Sequence, residues 1–354
     1  MTDLNQLLAS LVEKKGVALH LVPGSPPLFR SSREGFAPLG DTPLAAEDSN
    51  ALLLGALNDE QKSLLSQNKE ISIAYSIQGV GRFRTSIFYQ RGSLGAVFRL
   101  LPQGVPELDQ LNLPPVLKEI DKKSQGLILI AGPKGSGKSH TLAAVLDFLL
   151  SSRGVQIISL ENPIEFLLKN KKGVIYQREI GTDARSFKEA VQTALRQNPD
   201  VLALSELSDL ESVMSVLTAS SSGQLVIATI SANGILMALE QLIELAPPHH
   251  QAYLRGQLGA GFELGISQLL LRGQDGSAVL AAEILIGTPA IKGTIREGKM
   301  QQLLNTMNNN RDAGMISQEF ALKNLTKKNL ISAEDALAKA VRPEELKRLL
   351  TMQM

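Results

Sequence analysis

The first hundred residues carry two kinds of hydrophobic pattern. Apolar side chains recur at helical spacing in residues 4–12, and a further pair of helices is predicted around residues 45–67. Apolar and polar positions then alternate in strand-like segments at residues 71–75, 82–90 and 95–100. This mixture predicts one small α+β domain over residues 1–101.

Prolines interrupt the pattern after this domain. Pro102, Pro106, Pro114 and Pro115 lie close together in the chain. Each proline removes a backbone hydrogen-bond donor and disfavours helix at the residue before it. We therefore predict a domain linker over residues 102–120.

A different pattern begins after the linker and defines a second domain, residues 121–354. Apolar segments of strand length alternate with helical segments, which indicates a mainly parallel sheet covered by helices. The predicted strands are residues 126–131, 155–160, 201–205 and 224–230. The last hundred residues are predicted to be mostly helical, with Ser332 capping one helix and Pro343 opening the last.

Composition and charge exclude several classes of protein. The 36 Lys and Arg residues nearly balance the 35 Asp and Glu residues, so no overall field draws the chain to nucleic acid or to an anionic membrane. The absence of cysteine excludes disulfides, thiolate metal sites and a cysteine nucleophile. Because the first sixteen residues lack the apolar core of a secretory signal, and no run approaches the roughly 18 apolar residues of a membrane helix, a cytosolic protein is expected.

The most specific motif lies between a predicted strand and a predicted helix. Gly132-Pro133-Lys134-Gly135-Ser136-Gly137-Lys138-Ser139, followed by His140, fits the phosphate-binding pattern G-x-x-x-x-G-K-[ST]. Glycines allow the backbone to turn its N–H groups toward phosphates, and the following helix directs its positive end at them. Lys138 would reach the terminal phosphates, and the Ser139 hydroxyl would hold Mg²⁺.

Two further predicted strands end in carboxylates. Residues 201–205 lead to Glu206, which could orient Mg²⁺ or its water; an ordinary carboxylate at the end of a strand is the alternative. Residues 155–160 lead to the turn Glu161-Asn162-Pro163-Ile164-Glu165. A carboxylate in this turn could deprotonate the attacking water, and a solvated turn is the alternative.

These three segments, in this order, resemble the secretion-superfamily ATPases, most closely the type IV pilus retraction ATPases of the PilT/PilU family. Residues 132–139 match the family's Walker A motif, residues 161–165 its Asp box and residues 200–209 its Walker B segment. Residues 81–84 match its N-terminal domain, and residues 287–297 match the AIRNLIRE-like segment that the family associates with retraction. The resemblance covers nearly the whole chain.

The resemblance implies a fold and a set of site residues. The fold is a PAS-like α+β N-terminal domain followed by a RecA-like P-loop ATPase domain with a helical C-terminal part. The cofactors are ATP and Mg²⁺. Lys138 and Ser139 contact the phosphates and Mg²⁺, Glu165 is the catalytic base, and Glu206 is the Walker B acid that joins Ser139 at the metal.

The resemblance also implies further residues and partners. Arg82, Arg84 and Arg99 would reach the nucleotide phosphates, since arginine supplies permanently charged donors; each is otherwise a surface or domain-interface charge. The partners are other subunits, in a homohexamer or a mixed ring with a paralogous ATPase, and an inner-membrane pilus platform protein. The resemblance implies that the protein is located in the cytoplasm at the base of the pilus, as a peripheral component of the inner membrane.

The chain departs from the family pattern at several site positions. Serine replaces the family glycine at Ser205, the arginine at Ser208 and the histidine of the His box at Ser231. His140 replaces a threonine, and Asn162 replaces the aspartate of the Asp box. Nucleotide binding is expected to be retained. Hydrolysis is expected to be slower, because the loss of one polar contact to the transition state lowers the rate by a factor of about 10²–10³, by analogy with the loss of an oxyanion donor.

Three functions follow as hypotheses. The first is a hexameric, ATP-hydrolysing motor for pilus retraction and twitching motility. The second is a regulatory or structural paralogue that binds ATP, hydrolyses it weakly or not at all, and acts with an active motor. The third is a RecA-like DNA motor, which the near-neutral charge and the absence of a basic stripe disfavour, so no nucleic-acid partner is expected.

Overall fold

The chain divides into two compact units. The computed structural model describes residues 3–31 and 35–351. One unit comprises Met1–Gly104 together with the short segment Pro163–Phe166, and we call it the N-terminal unit. The other comprises Val105–Asn162 and Leu167–Met354, and we call it the ATPase unit.

The N-terminal unit is an antiparallel sheet covered by helices. Its helices are α1 (Leu4–Glu13), α2 (Ala46–Gly55) and α3 (Asp59–Asn68). Its strands are β1 (Ala18–Leu21), β2 (Leu28–Arg30), β3 (Phe36–Pro38), β4 (Glu70–Ile77), β5 (Gly81–Gln90) and β6 (Ser93–Leu100). Among the described residues they form one sheet in the order β3-β2-β1-β6-β5-β4.

Local sequence signals explain these elements. The carboxylate of Asp3 caps α1 by accepting from Asn5 N at 2.9 Å, and Asn58 and Gln61 form a capping box on α3. In β5 the buried Phe83 and Ile87 alternate with residues of the opposite face, because successive side chains of a strand point to opposite sides. The predicted α+β fold is confirmed.

The ATPase unit is built on a second sheet. Its strands are β7 (Gly126–Ala131), β8 (Gln156–Glu161), β9 (Val174–Glu179), β10 (Val201–Leu204), β11 (Leu225–Ile230), β12 (Phe262–Arg272) and β13 (Ala278–Ile286). Its helices are α4 (Lys138–Ser152), α5 (Phe187–Arg196), α6 (Leu210–Ser221), α7 (Ile235–Glu244), α8 (Pro248–Gly261), α9 (Pro289–Glu297), α10 (Met300–Asn309), α11 (Gln318–Lys327), α12 (Ala333–Lys339) and α13 (Pro343–Thr351).

The strand order of this sheet is β13-β12-β7-β11-β10-β8-β9. Neighbours are parallel from β12 to β9, and only the pair β12 and β13 is antiparallel among the described residues. Because helices cover the sheet, the central strands β7, β10 and β11 are buried along their whole length. The predicted, mainly parallel sheet is confirmed.

The prediction for the last hundred residues is wrong in one part. Residues 262–286 form the hairpin of β12 and β13 rather than helix. β12 is buried on both faces from Leu264 to Gln268, so apolar and polar residues do not alternate there, and periodicity alone does not separate such a strand from a buried helix. Beyond the hairpin the helices are as predicted: the Ser332 hydroxyl accepts from Asp335 N at 3.0 Å and caps α12, and Pro343 opens α13.

The segment between the predicted domains folds against the ATPase unit. It contains two 3₁₀ helices, Leu108–Leu111 and Pro115–Lys122. Leu117 and Ile120 are each 2% exposed and pack with apolar residues of α4. Over the part of the chain that the structure describes, no helix is long and apolar enough to span a bilayer.

Candidate nucleotide site

The glycine-rich loop joins β7 to α4, as the motif predicts. Gly132, Gly135 and Gly137 all have positive φ angles, of 151°, 82° and 93°. Residues that carry a side chain rarely adopt such angles. At Gly132 a Cβ atom would also lie 2.3 Å from Ser136 Oγ and 2.5 Å from the backbone oxygen of Gln268. Both the backbone conformation and the close packing therefore require glycine at position 132.

The Lys138 ammonium lies over this loop. Its Nζ atom donates to the carbonyl oxygens of Gly132 at 2.7 Å and Pro133 at 3.0 Å. Gly137 precedes α4 and provides no side-chain cap, so the positive helix end points into the loop. Ser139 and His140 follow in the first turn, each half-buried. Positive charge and the N-terminal end of a helix thus meet at one loop, an arrangement suited to a polyphosphate.

Three strand ends next to the loop are joined by hydrogen bonds. Because β8, β10 and β11 are parallel neighbours, their carboxyl ends lie at one edge of the sheet, where such folds bind ligands. Ser205 N donates to Leu160 O at 2.9 Å, and the Thr229 hydroxyl donates to Ser205 O at 2.6 Å. Leu207 N donates to Thr229 O at 2.9 Å. The residues after β10 are therefore connected to the ends of both neighbouring strands.

The carboxylates predicted from the sequence occupy different environments. Glu206 lies exposed, two residues beyond the end of β10. Glu161, at the end of β8, is 8% exposed, and its Oε1 atom accepts from Ser159 Oγ and Gln177 Nε2, both at 2.8 Å. Glu165 is half-buried in the segment Pro163–Phe166. Glu161 is thus engaged in hydrogen bonds at the end of β8, and Glu165 stays the base that the resemblance implies.

The predicted arginines share one face of the N-terminal sheet. Arg84 on β5 lies directly opposite Arg99 on β6, and both are exposed. Like charges in direct cross-strand register are unfavourable by themselves, which favours a role in binding an anion. Arg82 is half-buried: its Nη1 atom donates to Ile164 O at 2.9 Å and its Nε atom to Ser76 Oγ at 3.3 Å.

The residues that depart from the family pattern lie mostly at the strand ends. Ser231 directly follows β11 and is exposed, and Asn162 and Ser208 are also exposed. Ser205 is half-buried, and its hydroxyl oxygen accepts the backbone N–H of Asn162 at 3.0 Å. This bond links two of the departures directly.

Sequence reasoning missed Gln268. Its side chain is 2% exposed on β12, and Nε2 donates to the Thr141 hydroxyl at 2.7 Å, one turn into α4. Its backbone oxygen packs on Gly132. The available signal was a polar residue within an apolar run, Ile266-Ser267-Gln268-Leu269-Leu270.

Sequence reasoning also missed a buried acid, Glu283 on β13. Its Oε2 atom accepts from Ile235 N, the first residue of α7, at 2.8 Å. Burial, with a smaller contribution from Glu319, raises the pKa of Glu283 to about 7, although the bond from Ile235 and the charge of Arg342 act in the opposite direction. This carboxylate caps the helix that follows the Ser231 turn, where Gly234 offers no side chain.

The chain has close relatives over almost its whole length. It is 36% identical over 342 residues to the type IV pilus retraction ATPase PilT of Pseudomonas aeruginosa, covering 97% of this chain and 99% of the relative. It is 33% identical over 351 residues to the type IV pilus ATPase PilU of the same organism, covering 99% and 92%. The crystal structure of the pilus retraction motor PilT with bound ADP superposes with a TM-score of 0.90, at 34% identity, over 98% of this chain and 100% of that one.

A family model agrees with these relatives and with the fold. The model described as "Type II/IV secretion system protein" matches residues 65–336, more than half of the chain. The match includes the glycine-rich loop, the three connected strand ends and β12. The chain therefore belongs to the Type II/IV secretion system protein family.

Proposed function

We propose that the protein is an ATP-hydrolysing motor that powers type IV pilus retraction. One observation carries the proposal: a loop shaped for phosphate lies beside a connected set of strand ends bearing acids, in a chain that is similar to PilT over 97% of its length. The motor would work as a hexameric ring at the cytoplasmic face of the inner membrane, against the pilus platform protein. Retraction as the direction of movement is taken from the relatives and from the AIRNLIRE-like segment at residues 287–297.

The residues of the loop fit the phosphates of ATP. The positive φ angles of Gly132, Gly135 and Gly137 shape a loop whose backbone N–H groups could face phosphates. Lys138, now held by two loop carbonyls, would exchange them for phosphate oxygens, which are stronger acceptors because they are charged. Ser139 and Glu206 would hold Mg²⁺, which neutralises phosphate charge when it is bound.

Glu165 is the proposed general base. Its carboxylate would accept a proton from the water whose oxygen attacks the γ-phosphorus, while the bond from phosphorus to the oxygen of ADP breaks. The products are ADP and inorganic phosphate. Arg82, Arg84 and Arg99 remain proposed phosphate-binding residues; Arg82 would need to give up its bond to Ile164 O to act in this way.

A second candidate function is favoured by Ser231. The neutral, short side chain at the end of β11 cannot carry the charge that a histidine would supply at this place. The chain would then bind ATP and act within a mixed ring beside an active motor, with weak hydrolysis or none. Similarity to PilU over 99% of the chain is compatible with either function.

Steady-state ATP hydrolysis by the purified oligomer with Mg²⁺ tests the proposal. We expect turnover that Glu165→Gln abolishes while ATP binding, measured separately, is retained. The matched control Glu244→Gln, an exposed position on α7, should leave turnover unchanged. ATP binding without turnover in the wild type, together with a rate restored by Ser231→His, would instead support the second function.

A further inference from the structure

Ser205 sits where two turns of the site meet. It follows the last residue of β10 and precedes Glu206. Its backbone is fixed on both sides, because its N–H donates to Leu160 O and its carbonyl accepts the Thr229 hydroxyl. The side chain is therefore carried by backbone that the sheet itself holds in place.

The Ser205 hydroxyl uses this fixed position to hold the neighbouring turn. Its Oγ atom accepts from Asn162 N at 3.0 Å. Asn162 is the last residue of the ATPase unit before the chain enters Pro163–Phe166, which groups with the N-terminal unit. Asn162 lies beyond β8, so its amide is outside the regular strand ladder. A side chain thus continues the linkage of β8 to β10 past the point where the strand ends.

The residue after Asn162 transmits this constraint along the chain. The ring of Pro163 fixes its own φ angle, and proline also restricts the residue before it to extended conformations. Fixing the amide of Asn162 therefore limits the path of the backbone that leads to Glu165, three residues further on. A glycine or alanine at position 205 would provide no acceptor for this amide.

We propose that Ser205 is a positioning residue that sets the place of the Glu165 carboxylate by holding the backbone N–H of Asn162. The inference rests on the proposed function, since it assigns Ser205 to the same hydrolytic site. It adds a residue that does not touch the nucleotide and acts through the turn alone. It also gives the serine at position 205 a defined task, since its hydroxyl holds the amide at which the turn after β8 begins.

The test compares three substitutions in the full-length oligomer. Ser205→Ala removes the acceptor, and Ser205→Thr keeps a hydroxyl oxygen at the same place. Ser215→Ala is the matched control, because the Ser215 hydroxyl donates only within α6, to Glu211 O at 2.9 Å. Each variant is measured by hydrogen–deuterium exchange at the Asn162 amide, by ATP affinity and by steady-state hydrolysis. Pro163 has no amide hydrogen, which simplifies assignment of the exchange at Asn162.

We expect Ser205→Ala to exchange the Asn162 amide faster and to lower kcat by about 3- to 10-fold, the rate equivalent of one net hydrogen bond. ATP affinity and KM should stay within about two-fold, because the loop and Lys138 are untouched. Ser205→Thr and Ser215→Ala should match the wild type. Because a smaller folded fraction would also lower the apparent kcat at unchanged KM, kcat is expressed per ATP-binding site. A loss of kcat per site, with faster exchange at the Asn162 amide, then distinguishes positioning from a general loss of stability.

Three results would overturn the inference. Unchanged exchange at Asn162 in Ser205→Ala would mean that the hydrogen bond does not hold the turn. Faster exchange with unchanged kcat would mean that the turn does not position the base. A parallel loss of ATP affinity would place Ser205 in nucleotide binding. If Glu165→Gln leaves turnover intact, the proposed function of Glu165 fails instead, and the exchange measurement still decides whether Ser205 holds Asn162.

Discussion

The carboxylate of Glu283 accepts the backbone N–H of Ile235 at 2.8 Å and so caps α7 from a different strand. Glu283 is 3% exposed, and the charged groups that act on it are Glu319, which is fully buried, and Arg342, which forms an ion pair with Glu319 at 2.7 Å. The positive charge of Arg342 therefore acts on two buried acids, Glu319 and Glu283. Glu319 has the direct pairing, whereas burial raises the pKa of Glu283 above the ordinary value of a carboxyl group.

This relationship predicts a pH dependence of stability. The folded state holds a proton on Glu283 up to about pH 7, whereas the unfolded carboxyl loses it near its ordinary pKa of 4.5. Between these values the folded state binds more protons, so the free energy of unfolding should fall as pH rises. Glu283→Gln keeps an oxygen for Ile235 N and should flatten this decline, which amounts to about 3 kcal/mol by pH 8.

Chemical denaturation at a series of pH values measures this effect. Glu244→Gln, on the exposed side of α7, serves as the control and should keep the slope of the wild type. An unchanged slope in Glu283→Gln would show that Glu283 is not the group that titrates in this range.

Gly132→Ala should abolish high-affinity ATP binding. The new Cβ atom would lie 2.3 Å from Ser136 Oγ and 2.5 Å from the backbone oxygen of Gln268, at a φ angle that alanine rarely adopts. The loop must therefore shift, and we expect at least a 10-fold loss of affinity in a fluorescence titration, equivalent to about 1.4 kcal/mol. Gly256→Ala on α8, where nothing lies within 4 Å of the added methyl group, should leave affinity unchanged.

The Gln268–Thr141 hydrogen bond should couple β12 to α4. Gln268→Leu would leave the buried Thr141 hydroxyl without this partner, at a cost of about 1–3 kcal/mol in the free energy of unfolding. Thr141→Val removes the other partner. In a double-mutant cycle the two losses should not add, with a coupling of about 1 kcal/mol. Additive losses would contradict a direct interaction between the two side chains.

Leu117→Ala should destabilise the ATPase unit although it lies in the proline-rich segment. Leu117 is 2% exposed and packs with residues of α4, so its truncation leaves a cavity. The expected loss is about 2–5 kcal/mol in the free energy of unfolding. Leu330→Ala, at a position 43% exposed, should cost far less in the same thermal or chemical unfolding experiment. Equal losses would mean that residues 105–122 do not belong to the folded core.

Several features of the site could be predicted because their signals are local in the chain. The glycine-rich loop has a fixed spacing of eight residues, and it occurs between β7 and α4 as its chemistry requires. Acids directly after apolar runs, such as Glu206, could be placed at strand ends for the same reason. The predicted helix cap at Ser332 likewise depends on residues three apart.

Other features depend on residues that are distant in sequence. The Gln268 side chain meets Thr141 across 127 positions of the chain, and Glu283 meets Ile235 across 48. The hairpin of β12 and β13 lies at one edge of the sheet, and it was missed because β12 is buried on both faces from Leu264 to Gln268, which removes the alternation that marks a strand. The proline-rich segment 105–122 resembles a linker by its backbone chemistry, but Leu117 and Ile120 bury it against α4.

The sequence by itself determined the phosphate loop, the positions of the acids, the division into an α+β region and a parallel α/β region, and membership in the family by resemblance. These features follow from short-range patterns, since helix, strand and loop signals are set by residues a few positions apart. Only the tertiary structure decided which acid is buried against Gln177, which serine holds the Asn162 amide, and which carboxylate caps α7. Those outcomes depend on strand order and register, which bring together side chains that no local pattern relates.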